Sequence, residues 1–140
     1  MTQETLSFSI SAARLSSELS KAQTHGAEIS LDTSVAGNPA ALTPIELLLA
    51  AQAACFIKGV ERFAEKLNFE FSDVQVTLTA QRPVDQATIT AVTYRVDIAT
   101  SETKERVDLI AKNLLKHGTI YNVLSASIPL SGEITKRADS

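Results

Sequence analysis

Apolar and polar positions along this chain change period several times, and each change marks an element. Near the start Leu6, Phe8 and Ile10 alternate with serines, which predicts a first strand. Residues 14–19 read as its extension or its partner. Thr24, His25 and Gly26 predict a turn, and Glu28 to Asp32 a short alternating strand. Residues 35–42, with Gly37, Asn38 and Pro39, predict a loop. The alternation then stops. Residues 43–67 open with a capping box, Thr43 followed three residues later by Glu46, with Pro44 at the first helical position. The segment runs almost unbroken through Leu47, Leu48, Leu49, Ala50, Ala51, Ala53, Ala54, Cys55, Phe56 and Ile57. A helix apolar on nearly every face must be buried.

Beyond it the period returns to two. Val74, Val76, Leu78 and Ala80 alternate with polar residues, and Val92, Tyr94, Val96 and Ile98 share one face of a second strand over residues 88–99. Thr100 or Ser101 is the expected cap of a helix with Val107, Ile110, Ala111, Leu114 and Leu115 on one side and Gly118 as its C′ residue. Residues 119–126 predict a short helix. Residues 128–135 predict a closing strand that Pro129 confines to an edge, and residues 136–140 a frayed tail. The expectation is a single α+β domain over residues 1–140, with its core at about 6–134 and antiparallel sheet against helices.

That layout leaves a burial problem. A helix of about 24 residues spans roughly 36 Å, and one sheet covers one side of it. The other long helix is amphipathic. A homodimer with the long helices at its centre is the simplest cover, because obligate interfaces resemble a core cut in half. Ala50, Ala51, Ala53, Ala54 and Gly59 would allow close approach.

Composition narrows the classes. The 140 residues are 44% hydrophobic and 21% charged, ordinary for a globular domain. The net charge of −3 and the absence of a Lys/Arg block argue against nucleic acid. The apolar run of the long helix, about 11–14 residues, is short of the roughly 20 that span a bilayer. Residues 1–11 show no basic region followed by an apolar run, so no signal peptide and a cytoplasmic location are expected. A single cysteine precludes an internal disulfide framework. His25 and His117 lack partners at metal spacing, so neither a metal nor a cofactor is expected.

The candidate chemistry sits on the long helix. Leu48, Gln52, Cys55, Gly59 and Arg62 form one stripe, with an amide one turn before the thiol and a glycine one turn after. Glycine within a helix costs about 1 kcal/mol relative to alanine, which points to tight packing or access at Gly59. Free cysteine commonly packs as a small hydrophobe; a reactive one needs a nearby cation and some access. Glu46 is about 13 Å up the axis from Cys55 and half a turn out of phase, so the two meet only if a second chain brings its own Glu46. Arg14 and Arg62 are both candidate cations for the thiolate.

The run TPIELLLAAQAACF, preceded by the Gly37 loop, resembles the signature of the OsmC/Ohr family of thiol-dependent hydroperoxide reductases. Thr43, Pro44, Glu46, Leu47, Leu48, Ala51, Ala54, Cys55 and Phe56 stand where that pattern wants them, and the element order agrees from about Leu6 to Ile134. The resemblance implies antiparallel sheets wrapped around long central helices in an intertwined homodimer, with active sites at the interface. It implies Cys55 as the nucleophile that becomes a sulfenic acid, Arg14 as the cation beside it, and Glu46 of the other chain orienting that arginine. In the family a second cysteine, opening a His-Cys-Pro-Val-Ser-Asn-like stretch, then closes a disulfide. The matching stretch here, residues 117–124, reads HGTIYNVL. Asn122 and Leu124 keep the pattern, but Gly118 takes the cysteine position and Thr119 the proline. An internal two-cysteine cycle is excluded. The expected function is hydroperoxide reduction by a single-cysteine route with an external thiol reductant. The alternative is a non-enzymatic relative that binds a small apolar ligand at the dimer interface, with Cys55 only structural.

Overall fold

The computed structural model describes residues 3–138. The chain divides into two units, one ending at Leu47 and the other beginning at Leu48. The first unit carries the antiparallel strands β1 (Ser11–Arg14), β2 (Ser20–Thr24) and β3 (Ala27–Leu31), in that spatial order. β2 and β3 are joined by the two residues His25 and Gly26, whose φ angles of 35° and 90° are both positive. A type I′ hairpin turn requires that pair of conformations, and glycine adopts it without strain. The turn is where the sequence predicts it.

The predicted first strand is displaced. Leu6, Phe8 and Ile10 lie outside any strand and are exposed, and β1 begins only at Ser11. Alternation encodes a face to be buried, whereas a strand also needs a neighbouring backbone; β1 has one in β2, and residues 3–10 have none among the described residues. Residues 15–19 form a turn in which the Leu15 and Ser16 amides both donate to the Leu19 carbonyl.

The long helix α1 (Pro44–Leu67) starts as expected. The Thr43 amide donates to Glu46 Oε1 at 2.9 Å, and the Glu46 amide donates to Thr43 Oγ1 at 3.2 Å, completing the capping box in both directions. In the second unit α1 buries Gln52, Phe56, Val60, Phe63 and Ala64. Ala50, Ala51, Ala54 and Ile57 on its other side are exposed. The helix ends at Asn68, whose φ of 54° lets the Phe69 amide reach back to the Ala64 carbonyl. Arg106 donates to the Leu67 and Asn68 carbonyls, which the helix itself leaves unpaired.

The second sheet has the order β4 (Asp73–Gln81), β5 (Ala91–Ala99), β6 (Leu130–Arg137). β4 and β5 are antiparallel and β5 and β6 parallel, so one pairing departs from an all-antiparallel sheet. Between β5 and β6 lie α2 (Lys104–His117) and α3 (Thr119–Ser125). The α2 cap is Thr103, not Thr100 or Ser101: its hydroxyl accepts from the Arg106 amide. Thr100 is unavailable because it is buried and its hydroxyl donates to the Glu70 carbonyl and accepts from the Glu102 amide. Gly118 is not a left-handed C′ residue either, since its φ is −72°. The last strand runs further than expected. Lys136 and Arg137 pair with Ile98 and Ala99 in β6, and Arg137 holds Asp73 at 2.6 Å; residues 139–140 lie outside the described range. Phe56, Val60, Val96, Ile98, Val107, Ile110 and Leu114 form the core of this unit.

Candidate active site

Cys55 is partly exposed on α1. Its sulfur faces the corner between α2 and α3. A β-carbon at Gly118 would stand 3.4 Å from Cys55 Sγ, 3.3 Å from Tyr121 Cβ and 2.7 Å from the Leu114 carbonyl oxygen. The last distance is closer than a β-carbon normally tolerates, so the corner keeps glycine on steric grounds while holding its backbone beside the thiol. One turn along α1 from Cys55, a β-carbon at Gly59 would approach Leu114 Cδ2 to 2.5 Å. Gly59 therefore serves tight packing of α1 on α2, one of the two roles its cost suggests.

Aromatic rings stand on the same side. Phe56 lies 5.1 Å from Tyr94 and 6.2 Å from Tyr121 between centroids, and Tyr94 meets Tyr121 edge-on at 6.2 Å. Burial, and then the neighbouring Tyr121 phenol with its hydrogen bond, pushes the Tyr94 hydroxyl up to about 12. Tyr94 thus stays a neutral donor throughout the physiological range.

Gln52, one turn before Cys55, is fully buried, and neither Oε1 nor Nε2 has a hydrogen-bond partner. These are the only buried side-chain nitrogen or oxygen atoms in that condition among the described residues. Such a group costs about 1–3 kcal/mol relative to a satisfied one.

In the first unit, Asp32 organises the loop that leads to α1. Its Oδ1 accepts from the Ser34 amide and hydroxyl at 3.0 and 2.6 Å, and its Oδ2 from the Asn38 amide at 2.9 Å. Those bonds, the Ser34 hydroxyl first, hold the Asp32 carboxyl below the usual carboxylate range. Asn38 in turn donates to the Glu18 carbonyl, and its Oδ1 accepts from the Ala40 amide. The loop and the start of α1 bound an open groove of about 560 Å³, lined among others by Asp32, Gly37, Asn38, Thr43 and Glu46.

Of the residues predicted for the site, Glu46 is exposed on that groove with Oε1 committed to the cap. Arg14 is exposed at the end of β1, opposite Ser20. Both belong to the first unit, and Cys55 to the second, where Arg62 is also exposed. Sequence reasoning passed over Asp32, although the Asp-x-Ser spacing is a signal for a side chain that caps its own loop. The Tyr94–Tyr121 pair carried no local signal.

No helix among the described residues is long and apolar enough to cross a membrane. The chain matches no curated protein in sequence. Its fold is shared by solved structures at low identity. An OsmC-like protein from Mycoplasma pneumoniae, 15% identical, superposes with a TM-score of 0.84 over 94% of this chain and 97% of that one. An organic hydroperoxide resistance protein OsmC from Legionella pneumophila, 13% identical, gives 0.69 over 94% and 99%. The organic hydroperoxide resistance protein OhrB of Bacillus subtilis, 14% identical, gives 0.64 over 92% and 98%. The family model for OsmC-like protein matches residues 37–133, from the Gly37 loop through both long helices into β6. With α+β architecture, two small sheets and the helix bearing Cys55 all in the family order, this chain belongs to the OsmC/Ohr family.

Proposed function

We propose that this protein reduces organic hydroperoxides through Cys55 by a single-cysteine route, with an external thiol as reductant. The observation that carries the reading is the 3.4 Å between Cys55 Sγ and the place a β-carbon would take at Gly118. Gly118 therefore lies in contact with the thiol, at the position where the family pattern has its second cysteine. That second position carries no thiol, and the Leu114 carbonyl 2.7 Å from where a β-carbon would stand keeps glycine there, which supports a route that needs only Cys55. Two of the similar structures, from Legionella pneumophila and Bacillus subtilis, are organic hydroperoxide resistance proteins, which supports peroxide as the substrate class.

The working form in this reading is an intertwined homodimer. The exposed Ala50, Ala51, Ala54 and Ile57 stripe of α1 supports it: small side chains on an uncovered apolar face suit close approach of a second helix. Glu46 of one chain then orients Arg14 beside a thiolate, and its exposure on an open groove fits such a role. Reduction of cumene hydroperoxide by excess dithiothreitol tests the proposal. Wild type turns over, and Cys55→Ser falls to the uncatalysed rate. A Cys55→Ser protein as fast as wild type would overturn it.

A further inference from the structure

A carboxamide that is buried and unpartnered is out of place in a resting core, and Gln52 is the one such side chain among the described residues. An apolar residue of similar volume would fill the space without orphaning a donor and an acceptor. The location of Gln52 suggests what it waits for. It is three residues before Cys55 on α1, and residues so spaced on a helix are neighbours, with β-carbons about 5–6 Å apart. Cα–Cβ bonds in a helix tilt toward its N-terminus, so a group built outward on the Cys55 sulfur extends toward the turn that carries Gln52, and the long Gln52 side chain meets it by turning its amide back along the helix.

The geometry points to Gln52 as the positioning residue for the sulfenic acid of Cys55, with Nε2 donating to the new oxygen and Oε1 accepting from its hydroxyl. This rests on the reading of Cys55 as a peroxide-reactive thiol. In the first step the Cys55 thiolate attacks the terminal oxygen of R–O–O–H. The S–O bond forms, the O–O bond breaks, the sulfur loses two electrons to the peroxide, and the alkoxide leaves and takes a proton from water. A hydroxyl on sulfur is at once a donor and an acceptor, the complement of the two atoms that Gln52 leaves unpaired. The need for it follows from Gly118: with no thiol at that position, the sulfenic acid must last until a low-molecular-weight thiol arrives. That thiol then forms a mixed disulfide and releases water. A second thiol frees Cys55 and leaves as the small disulfide. Holding the oxygen also slows attack by a second peroxide, which would carry the sulfur irreversibly to sulfinic acid.

The test uses the full chain, with wild type, Gln52→Leu and the more flexible Gln52→Met. Each is treated with excess cumene hydroperoxide, trapped with dimedone at intervals, and the sulfenic and sulfinic forms of Cys55 are counted by mass spectrometry. Formation of the sulfenic acid is expected to differ by less than about threefold between wild type and variants. Its loss to sulfinic acid is expected to be about tenfold faster in both variants, the effect of one well-placed hydrogen bond. The reduced variants are expected to unfold in urea at or above the wild-type midpoint. Equal lifetimes overturn the proposal, as does a lower midpoint in both variants, which would show that the amide is already partnered at rest. Failure of wild type to form any adduct overturns the reading of Cys55 itself.

Discussion

The two units of this chain are ordered by different means. From Leu48 onward, Phe56, Val60, Val96, Ile98, Ile110 and Leu114 are buried together, and Arg106, Glu102 and the end of α1 lock around them. Before Leu48 the only buried apolar side chain among the described residues is Ala22, while Phe8 is 89% and Val35 106% exposed. Backbone pairing, a two-residue turn and the Asp32 loop give that unit its form. Hydrogen bonds specify such a form but contribute little net stability, and a three-stranded sheet needs an apolar face covered to be stable alone. The second unit carries its own core. The first shows no such core among the described residues, and the dimer proposed above would cover it with a second copy.

The sharpest way to break this contrast is to delete one aromatic side chain from each side. Phe56→Ala is expected to cost about 3–5 kcal/mol in urea unfolding, whatever the protein concentration. Phe8→Ala should cost less than about 0.5 kcal/mol in dilute protein, like other exposed positions, and instead weaken self-association measured by sedimentation. A loss for Phe8→Ala that matches Phe56→Ala at every concentration would erase the distinction. A smaller effect lies at the junction. Thr43→Ala removes the hydroxyl half of the capping box and is expected to cost about 1 kcal/mol. Its loss should show as faster exchange of the Glu46 amide, while amides of the core strand β5 stay protected.

The smallest effect is on pH. Hydrogen bonds hold Asp32 below 3.8 and hold Glu102 below 4.5, the latter chiefly through the Glu70 amide and then Arg106. A carboxyl depressed in the folded state contributes its full stability above its ordinary value, and the contribution fades as pH falls from there through the lower folded value. As pH falls below about 4, the Ser34 and Asn38 amides should lose protection first, after correction for intrinsic exchange. The Glu70 amide should last longer because the adjoining core persists. Earlier loss at Glu70 would invert the ranking of the two units.

What was legible in the sequence follows the same division. α1 and its cap, β4, β5 and the apolar face of α2 were legible because capping and periodicity act within a few residues. Leu6, Phe8 and Ile10 misled because alternation announces a face, not the strand that pairs with it. Thr100 looked like a cap until its hydroxyl was committed to Glu70 and Glu102. Gly118 was recognised as the missing thiol, but its proximity to Cys55 and to the Leu114 carbonyl is a tertiary fact. The isolation of Gln52 is of the same kind, since a pattern shows where a side chain lies and not whether anything meets it.

Whether Cys55 works as a thiol or only packs is decided by its labelling rate with a thiol reagent from pH 5 to 9. A nucleophilic Cys55 reacts in the native protein quickly and already below pH 7. Labelling that begins only once urea has unfolded the chain would contradict the account.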